Sequence, residues 1–310
     1  MKVLVTGGAG FIGSHIVDQL LENGNQPIVL DNLSTGEETH LKDGIPFYRM
    51  NVQDEAIDWV FREEKPDVVI HQAAQSQVTQ SVENPMMDAQ TNILGTIRLL
   101  EACRCHGVKK IIYASSAAVY GNPEYLPIDE DHPISPLSPY GISKLTPETY
   151  IKVYAELYGL SYTILRYANV YGIRQVAHGE GAVISIFIDR LLRNQPLTIF
   201  GDGEQTRDYI YVEDIARANI AALEHGDGET LNLGTGVSTS LNDLVKVMGE
   251  IYGGKVEVKH ALERSGDIRF SCFCVDRAKT VLGWSPCTEL EEGLRWTMEY
   301  CRKKMDGVCL

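Results

Sequence analysis

The sequence has few basic residues: 28 Lys and Arg stand against 42 Asp and Glu, which gives a formal net charge of −14. Binding to nucleic acids depends on clustered Lys and Arg that neutralise phosphates, and the sequence contains no such run. We therefore expect no nucleic-acid partner. An anionic ligand would have to meet a local basic patch.

Long hydrophobic runs are also missing. No stretch is apolar for long enough to span a bilayer, and Met1 is followed at once by the strand-like Lys2-Val3-Leu4-Val5-Thr6, with no signal-peptide core. These features predict a cytoplasmic protein without a membrane partner.

The seven cysteines lack the Cys-x-x-Cys spacing of common zinc sites. Two Cys-x-Cys pairs occur, Cys103/Cys105 and Cys272/Cys274, but residues two apart on a helix point to different faces. We expect reduced thiols and no metal site. Internal repeats and low-complexity tracts are absent as well.

The composition is that of a soluble globular enzyme, with 44% hydrophobic and 23% charged residues in 310. This length suffices for one large α/β domain, or for a nucleotide-binding domain with a smaller appended lobe.

Apolar, β-branched segments alternate with helical patterns in the first half, which is typical of a parallel sheet covered on both faces. The predicted strands are Val3–Thr6, Ile28–Asp31, Phe47–Met50, Val68–His71, Ile111–Ala114 and Thr163–Arg166. The predicted helices are Ile12–Glu22, Glu55–Arg62, Met86–Cys105 and the segment after Tyr140. We predict an α/β fold, with a Rossmann-type doubly wound parallel sheet in residues 1–166 and a smaller α/β substrate lobe in residues 167–310.

The first strand runs directly into Gly7-Gly8-Ala9-Gly10-Phe11-Ile12-Gly13 and then into a helix. Glycines let the backbone approach a pyrophosphate, and a helix N-terminus offers unpaired N–H groups. Asp31 lies at the end of the second strand, where it can accept hydrogen bonds from ribose hydroxyls and would repel a 2′-phosphate. No Arg follows within Asn32-Leu33-Ser34-Thr35. The pattern therefore favours NAD over NADP as the cofactor.

Ser138-Pro139 has the composition of a helix start, with Ser138 as N-cap. Tyr140 and Lys144 would then lie on one face, at i and i+4. A tyrosine has a pKa near ~10, and an adjacent ammonium together with a positive nicotinamide ring would favour its phenolate. Ser116, at the end of the fifth strand, would place a hydroxyl at the same edge of the sheet. These three residues, Ser116, Tyr140 and Lys144, are the predicted catalytic group.

Taken together, these motifs resemble the extended short-chain dehydrogenase/reductases and, within them, the bacterial UDP-glucose 4-epimerases. The resemblance also covers His71-Gln72-Ala73-Ala74, Asn92, Ser115–Gly121, Leu165–Gly172 and Thr206-Arg207-Asp208-Tyr209. It implies an NAD-dependent 4-epimerisation of a UDP-hexose through a transient 4-keto sugar, and a homodimer formed by the helices after Pro85 and after Pro139.

The resemblance also implies site residues. The cofactor would contact Gly7, Gly10, Phe11, Ile12, Gly13, Asp31, Asn32, Ser34, Thr35, Gly36, Asn51, Val52, Ala73, Ala74, Gln75, Asn92, Tyr140 and Lys144. The substrate would contact Ser116, Tyr140, Asn169, Thr198, Phe200, Arg207, Arg264, Asp267 and Ser271. Asn169, Arg207 and Arg264 would hold the diphosphate, and Thr198 and Phe200 would flank the uracil.

Related 4,6-dehydratases carry an Asp–Glu pair just after the serine or threonine, where this sequence has Ala117 and Ala118. The Glu typical of UDP-glucuronate decarboxylases is missing too. Three alternatives stay open: a UDP-glucuronate 4-epimerase, a dehydrogenase or reductase that releases NADH, and a non-catalytic nucleotide-binding protein, which would be expected to lose one of the three catalytic residues.

In this family the residue four positions after the Gly-Asp of the last substrate loop gates the hexose pocket, and a tyrosine there excludes N-acetyl groups. Counting from Asp267 gives Ser271, so N-acetylated UDP-hexoses are also expected to be accepted.

Two positions depart from the family pattern. Pro147 falls within the predicted catalytic helix, where a proline ordinarily costs about 3 kcal/mol or kinks the helix. Ile173 replaces a usual proline before Arg174.

Overall fold

The computed structural model describes residues 1–177, 182–263 and 268–307. In chain order the strands are β1 (Lys2–Thr6), β2 (Gln26–Asp31), β3 (Phe47–Arg49), β4 (Val68–His71), β5 (Lys110–Ser116), β6 (Ser161–Tyr167), β7 (Asn169–Tyr171), β8 (Leu197–Phe200), β9 (Thr206–Arg207), β10 (Tyr209–Tyr211), β11 (Glu229–Leu233), β12 (Thr239–Ser240) and β13 (Val258–Ala261). The helices are α1 (Phe11–Glu22), α2 (Ile57–Glu64), α3 (Val78–Glu83), α4 (Pro85–Ala89), α5 (Gly95–His106), α6 (Pro139–Tyr158), α7 (Val183–Leu192), α8 (Val212–Ala221), α9 (Leu241–Tyr252), α10 (Asp276–Leu282) and α11 (Leu290–Met305).

A seven-stranded parallel sheet forms the centre of the molecule, in the order β11-β6-β5-β4-β1-β2-β3. Chain progression runs one way from β1 to β3 and the other way from β4 to β6, so the order reverses between β1 and β4. Ligands of open α/β sheets bind in the crevice at the carboxyl ends of the strands on either side of such a reversal. The predicted α/β, Rossmann-type fold is confirmed.

Both faces of this sheet are covered, as the near-continuous apolar strands require. Val3 and Val5 belong to one core cluster and Leu4, between them, belongs to another. Since successive side chains of a strand point to opposite faces, β1 is buried from both sides.

All six predicted strands are present, but the seventh, β11, was missed. Its sequence, Glu229-Thr230-Leu231-Asn232-Leu233, is short and half polar, so it does not give the pattern of a buried strand. Asn232 is nevertheless fully buried. Its side chain can be buried because it forms hydrogen bonds with the Tyr120 hydroxyl and the Ile128 carbonyl oxygen. A division at residue 166 therefore leaves one strand of the central sheet in the second part of the chain.

Three short strand pairs complete the second part: β7 with β10 and β8 with β13, both parallel, and β9 with β12, antiparallel. A separate apolar cluster lies under α7, α9 and α11 and includes Phe187, Leu244, Met248 and Leu294. The strands β7, β8 and β9 carry four of the nine residues that were predicted to bind the substrate: Asn169, Thr198, Phe200 and Arg207.

The long predicted helix Met86–Cys105 is present as α4 and α5, joined without a break by a π-helical turn at Gln90–Leu94. Such turns are rare, and those that do occur often lie at functional sites. Here the turn carries Asn92. The helix α6 continues past Pro147, which is buried in it.

Within the described ranges, no helix is both long enough and apolar enough to cross a membrane. The same part of the chain holds no group of three or more His, Cys, Asp or Glu side chains suited to a metal ion. Cys103 lies in the core and Cys105 is exposed, so the two members of this pair have different surroundings.

Candidate active site

The loop between β1 and α1 is packed too tightly for side chains. A Cβ atom on Gly13 would lie 2.0 Å from the carbonyl oxygen of Gly7, and one on Gly7 would lie 2.7 Å from the backbone nitrogen of Ala73. Gly7 also has a φ of 70°, in the left-handed region that favours glycine. Gly7, Gly10 and Gly13 thus form a glycine cradle, a turn of bare backbone at the N-terminus of α1, beside the end of β4. This cradle fits a pyrophosphate.

Asp31 is buried against this cradle at the end of β2. Its carboxylate accepts hydrogen bonds from the backbone nitrogens of Ala9, at 3.0 Å, and Leu33, at 2.8 Å. Gly36 lies against Ala9, where a Cβ atom would come within 2.8 Å of the backbone. The loop after β2, which carries Asn32, Ser34, Thr35 and Gly36, therefore folds back over the glycine loop.

Asn51 and Val52 follow β3 on the same side of the sheet. The Asn32 amide donates to the Asn51 side-chain oxygen at 2.9 Å, and Val52 is buried beneath α5. The end of β2 and the loops after β2 and β3 thus bring the Asp31 carboxylate and the Asn32 and Asn51 amides close together. An adenosine with free ribose hydroxyls matches these groups better than one with a 2′-phosphate.

The loop after β4 is held by Asn92. Its side-chain oxygen accepts from the Gln75 backbone nitrogen at 2.8 Å, and its amide donates to the Gln75 carbonyl oxygen at 2.9 Å. The same amide also lies 2.9 Å from the Ser143 hydroxyl on α6. Ala73, Ala74 and Gln75 are therefore fixed between the glycine loop and α6, at the crevice where the strand order reverses.

The helix α6 begins as predicted. The Ser138 hydroxyl accepts from the Gly141 nitrogen at 3.1 Å, and Pro139 occupies the first turn. The backbone nitrogen of Tyr140, which has no partner within the helix, donates to Ser81 on α3 at 3.1 Å. The first turn of α6 is thereby fixed both by its own cap and by a neighbouring helix.

Ser116, Tyr140 and Lys144 meet at the carboxyl edge of the sheet. The Lys144 ammonium, buried, donates to the carbonyl oxygen of Ala114 at 2.7 Å. Ser116 accepts from the Ala118 nitrogen at 3.2 Å, and a hydrogen bond between Ser116 and the Tyr140 phenol lowers the pKa of that phenol. The structure brings the three predicted residues together.

The electrostatic expectation for Tyr140 was only partly right. Burial is the largest effect and raises the pKa of Tyr140, and the nearby carboxylate of Asp88 raises it further. Lys144, expected to favour the phenolate, is not among the causes of this shift. Burial lowers the pKa of Lys144 to about 8, against the attraction of Asp88 and Glu148. The burial that places the Lys144 ammonium beside the strand end therefore also makes it lose its proton more easily.

Asp88 is a buried carboxylate that the sequence did not point to. Its Oδ1 accepts from the amides of Gln75, at 2.9 Å, and Asn92, at 3.2 Å, and its side chain is 1% exposed. Asp88 therefore joins the loop after β4 to the π-helical turn. Its charge acts on both Tyr140 and Lys144.

In the second part of the chain, the segments that carry Asn169, Arg207 and Ser271 converge on Asp208. The Asp208 carbonyl oxygen accepts from the Asn169 nitrogen at 2.9 Å. Its buried carboxylate accepts from the backbone nitrogens of Thr235, at 2.8 Å, and Phe273, at 3.2 Å. Phe273 lies two residues after Ser271, which is itself buried. The structure thus brings three of the predicted substrate segments together.

Asn169 is also connected to the catalytic edge. Ser116 pairs with Tyr167 in the register of β5 and β6, and Asn169 begins β7 two residues later. Thr198 and Phe200 are both half-buried on one face of β8, and the Gln205 amide donates to the Phe200 carbonyl oxygen at 2.7 Å. Arg264 and Asp267 lie outside the described residues.

Ile173 does not prevent an ordered loop before Arg174. Its carbonyl oxygen lies 3.2 Å from His15 Nε2, and the Arg174 guanidinium donates to Asp18 at 2.8 Å. Both partners are on α1. The loop after β7 is therefore docked on the helix that begins at the glycine cradle.

Two further buried groups were missed from the sequence, Asp208 and the pair of Glu148 with Arg166. A signal existed for Glu148: it follows Lys144 by four residues, as Lys144 follows Tyr140, so the three share one face of α6. Asp208 stands in the Thr206–Tyr209 motif, but only the tertiary structure shows which backbone groups it gathers.

Comparison with known proteins agrees with this geometry. A UDP-glucose 4-epimerase of Mycolicibacterium smegmatis is 42% identical over 311 residues, with 98% of this chain and 99% of the relative covered. A crystal structure of UDP-glucose 4-epimerase from Thermotoga maritima with UDP-glucose has a TM-score of 0.96 and 48% identity, over 98% of this chain and 100% of that one. The Thermus thermophilus UDP-glucose 4-epimerase, in complex with NAD, has a TM-score of 0.93 and 43% identity, over 97% and 99% of the two chains.

The family described as NAD dependent epimerase/dehydratase matches residues 3–234, a range that includes the glycine cradle, Asp31, Ser116, Tyr140 and Lys144. With that match over most of its length, this chain belongs to the NAD dependent epimerase/dehydratase family.

Proposed function

We propose that this protein interconverts UDP-glucose and UDP-galactose by 4-epimerisation, using a retained NAD. The observation that carries the proposal is the meeting of Ser116, Tyr140 and Lys144 beside the glycine cradle, at the carboxyl edge of the sheet. The relatives described above, which are named UDP-glucose 4-epimerase, support the same substrate.

The cofactor residues are assigned by their place around the crevice. Gly7, Gly10, Phe11, Ile12 and Gly13 would hold the pyrophosphate, Asp31 with Asn32, Ser34, Thr35 and Gly36 the adenosine ribose, and Asn51 with Val52 the adenine. Ala73, Ala74, Gln75 and Asn92 would line the rest of the site, with Tyr140 and Lys144 near the reacting end. NAD, when bound, would supply the hydride acceptor for oxidation at C4 of the sugar, and its reduced form the hydride donor for the re-reduction.

Tyr140 is proposed to take the proton of the C4 hydroxyl as that oxygen becomes a carbonyl, and to give it back when the carbonyl is reduced. The Ser116 oxygen already accepts from Ala118, so its own proton is available to the phenol or to the sugar oxygen. The Lys144 ammonium, held by the Ala114 carbonyl oxygen one helical turn from Tyr140, would contact the nicotinamide ribose.

The chain around Ser116 supports oxidation and re-reduction without elimination. The positions that follow Ser116 are Ala117 and Ala118, whose side chains can neither donate nor accept a proton. Loss of water from the sugar would need such an acid and base. The arrangement therefore favours an epimerase over a dehydratase.

Asn169 and Arg207 are proposed to hold the diphosphate, with Arg264 from outside the described residues, and Thr198 and Phe200 to flank the uracil. Arginine suits this task because its planar fork matches phosphate oxygens. A place in galactose metabolism follows from the proposed substrate. The division into parts at residue 166 and the cytoplasmic location stay predictions.

The test is proton NMR of the purified protein with UDP-glucose and no added NAD, following the anomeric signals. Growth of UDP-galactose signals at catalytic rates supports both the reaction and the retained cofactor. A Tyr140→Phe variant serves as the control for contaminating enzymes. If no UDP-galactose forms while NAD is bound or supplied, the proposed hexose is wrong, and UDP-N-acetylglucosamine and UDP-glucuronate are tested next.

A second substrate is supported by Ser271, a small side chain buried near the Asp208 cluster. We propose that the hexose pocket also accepts UDP-N-acetylglucosamine, because the gating position holds the small Ser271 and not a tyrosine. A Ser271→Tyr variant should lose activity on the N-acetylated sugar and keep it on UDP-glucose, whereas Ser271→Ala should keep both. An unchanged preference in Ser271→Tyr would overturn this idea.

A further inference from the structure

Three consecutive residues at the end of β5 each contact α6, and their partners are one helical turn apart. Ser116 bonds to Tyr140, the Ala114 carbonyl oxygen accepts from Lys144 at 2.7 Å, and the Ser115 hydroxyl donates to Glu148 Oε1 at 2.5 Å. The first two contacts belong to the proposed catalytic group. The third is formed by two residues to which the reaction assigns no role.

Glu148 is held from its other side by Arg166 on β6. The guanidinium donates from Nε to Glu148 Oε1 at 3.0 Å and from Nη2 to Oε2 at 2.6 Å, and both side chains are 2% exposed. Arg166 is the register partner of Ser115, so Glu148 spans the two neighbouring strands. This bidentate geometry fixes the carboxylate in both direction and distance.

The network continues beyond the ion pair. Arg166 Nη1 donates to the Tyr120 hydroxyl at 2.8 Å, and that hydroxyl donates to the Asn232 side-chain oxygen at 2.7 Å on β11. Three strands of the central sheet, β5, β6 and β11, and the loop residue Tyr120 are thus joined to one carboxylate on α6. A buried network of this kind, when its members are satisfied, rigidifies its surroundings.

Stability alone does not account for such a pair. Replacing a buried ion pair by apolar side chains of similar volume is often neutral or stabilising, because burying two charges is costly. Glu148 lies on the same face of α6 as Lys144 and Tyr140, one and two turns further along. Any sliding or rotation of α6 against β5 that displaced these two groups from the strand end would have to break its bonds to Ser115 and Arg166.

We propose that Glu148 is a positioning residue: with Arg166 and Ser115, it fixes α6 against β5 so that Tyr140 and Lys144 face Ser116 and Ala114. The inference rests on the proposed function for its effect on turnover. It also predicts a property of the protein without substrate, which is the environment of the Tyr140 phenol.

A test of Glu148 has to distinguish the effect of its charge on Lys144 from its effect on the position of α6. Asp88, from α4, and Glu148, from α6, are the carboxylates that raise its pKa, and the rings of Tyr113 and His71 lie on its strand side. Removing the carboxylate of Glu148 therefore changes a charge as well as an anchor. Ser115→Ala removes the bond to β5 and leaves every charge in place.

The experiment compares Ser115→Ala, the double variant Glu148→Met/Arg166→Met, and a matched control on the exposed side of the same helix, Glu156→Gln. The double variant is used because Glu148→Met alone would leave the guanidinium buried without its partner. Each is measured for thermal unfolding, for NAD content, and for kcat and KM with UDP-glucose. Each is also titrated by the 295 nm absorbance that disappears with an additional Tyr140→Phe change.

We expect the double variant to stay folded, to keep KM within roughly threefold and to lose at least about tenfold in kcat, the signature of misplaced catalytic groups. Ser115→Ala should lose about three- to tenfold in kcat, and Glu156→Gln should be unchanged. In both the double variant and Ser115→Ala, the apparent pKa of Tyr140 should rise by about half a unit or more, because its bond to Ser116 is weakened.

Wild-type kcat and Tyr140 titration in both folded variants would overturn the proposal and leave only a structural role. If the wild-type protein does not turn over UDP-glucose, the proposed function fails, but the Tyr140 titration still decides this inference. Should the double variant fail to fold, Ser115→Ala gives the answer alone, since it keeps the ion pair.

Discussion

Lys144 donates a hydrogen bond of 2.7 Å to the carbonyl oxygen of Ala114, the residue two positions before Ser116. One cation of α6 is thus attached to the same strand end that presents the hydroxyl of the site. Because the bond runs to backbone, its geometry does not depend on a second flexible side chain. The relative placement of Lys144, Tyr140 and Ser116 therefore follows from how α6 packs on β5.

The first prediction concerns Tyr140. Replacing it by Phe removes the proposed proton acceptor while keeping the ring that fills the site. We expect kcat to fall by about 10²- to 10⁴-fold, the usual contribution of a positioned general base, with NAD content unchanged. Tyr150→Phe, on the exposed side of the same helix, is the control and should keep full activity. Near-normal turnover by Tyr140→Phe would remove Tyr140 from the mechanism.

The second prediction is the pH dependence. Burial lowers the pKa of Lys144 to about 8, so the ammonium is present below that pH and is lost as the pH rises through it. The proposed reaction needs the Tyr140 phenolate together with the Lys144 ammonium. Because the pKa of Tyr140 is raised from 10 while that of Lys144 is about 8, kcat should rise with pH up to about 8, level off, and fall only above the pKa of Tyr140. The Asp88 carboxylate raises the pKa of both Lys144 and Tyr140, the two groups expected to set the two limbs of the profile.

Asp88→Asn removes that charge and keeps an oxygen for the Gln75 and Asn92 amides. Both pKa values should then decrease, and the whole bell-shaped profile of kcat should move to lower pH. Glu83→Gln, an exposed acid five residues earlier, should leave the profile in place. A profile of Asp88→Asn that coincides with the wild-type profile would show that this carboxylate does not influence the reaction.

Much of this arrangement was predictable from the sequence, for reasons that are local. The strands β1 to β6 are apolar runs, Ser138-Pro139 sets the start of α6, and the spacing of Tyr140 and Lys144 fixes their common face. What could not be predicted depends on contacts between distant segments. β11 is a half-polar strand whose Asn232 is satisfied by residues about a hundred positions earlier, and Asp208 collects backbone nitrogens from Thr235 and Phe273. Periodicity does not report such bonds.

At Pro147, tertiary packing overrides a local signal in the sequence. Its sequence position predicted a cost of about 3 kcal/mol or a kink, since proline lacks the backbone donor and crowds the carbonyl four residues before it. The helix nevertheless runs from Pro139 to Tyr158, with Pro147 buried within it. Packing of α6 on its neighbours outweighs the local preference. Lys144 and Tyr140 keep their contacts with Ala114 and Ser116, although the crowded carbonyl, that of Ser143, lies between them.

The third prediction concerns the glycine cradle. In Gly13→Ala the new Cβ atom would lie 2.0 Å from the Gly7 carbonyl oxygen, so the loop must move away from its present course. We expect the NAD content of the purified protein, measured by chromatography of the released nucleotide, to fall at least about tenfold. Gly249→Ala is the control: its Cβ meets only the Val256 side chain, at 3.2 Å, within a helix that alanine favours. Full NAD content in Gly13→Ala would contradict the assignment of the cradle.

The fourth prediction is a homodimer formed by the segment from α4 to α5 together with α6. These neighbouring helices expose an apolar stripe, with Met86 69%, Leu94 57%, Ile142 51% and Leu157 66% exposed. On α6 the exposed positions recur at helical spacing, and large exposed apolar patches on soluble proteins mark interaction sites. A second copy of the same two helices would cover the stripe by a symmetric contact of the kind that C2 dimers use.

Analytical ultracentrifugation should therefore show a dimer for the wild-type protein and a shift toward monomer for Leu157→Glu, because a buried charge without a partner weakens an apolar interface. Val237, 61% exposed and far along the chain from these helices, provides the control: Val237→Glu adds the same charge and should stay dimeric. The thermal unfolding of Leu157→Glu should depend less on protein concentration than that of the wild type, since only an associated fold is stabilised by mass action. A wild-type protein that sediments as a monomer at micromolar concentration would refute the dimer, whereas equal dissociation of both variants would mean that the added charge, and not the position, disrupts it.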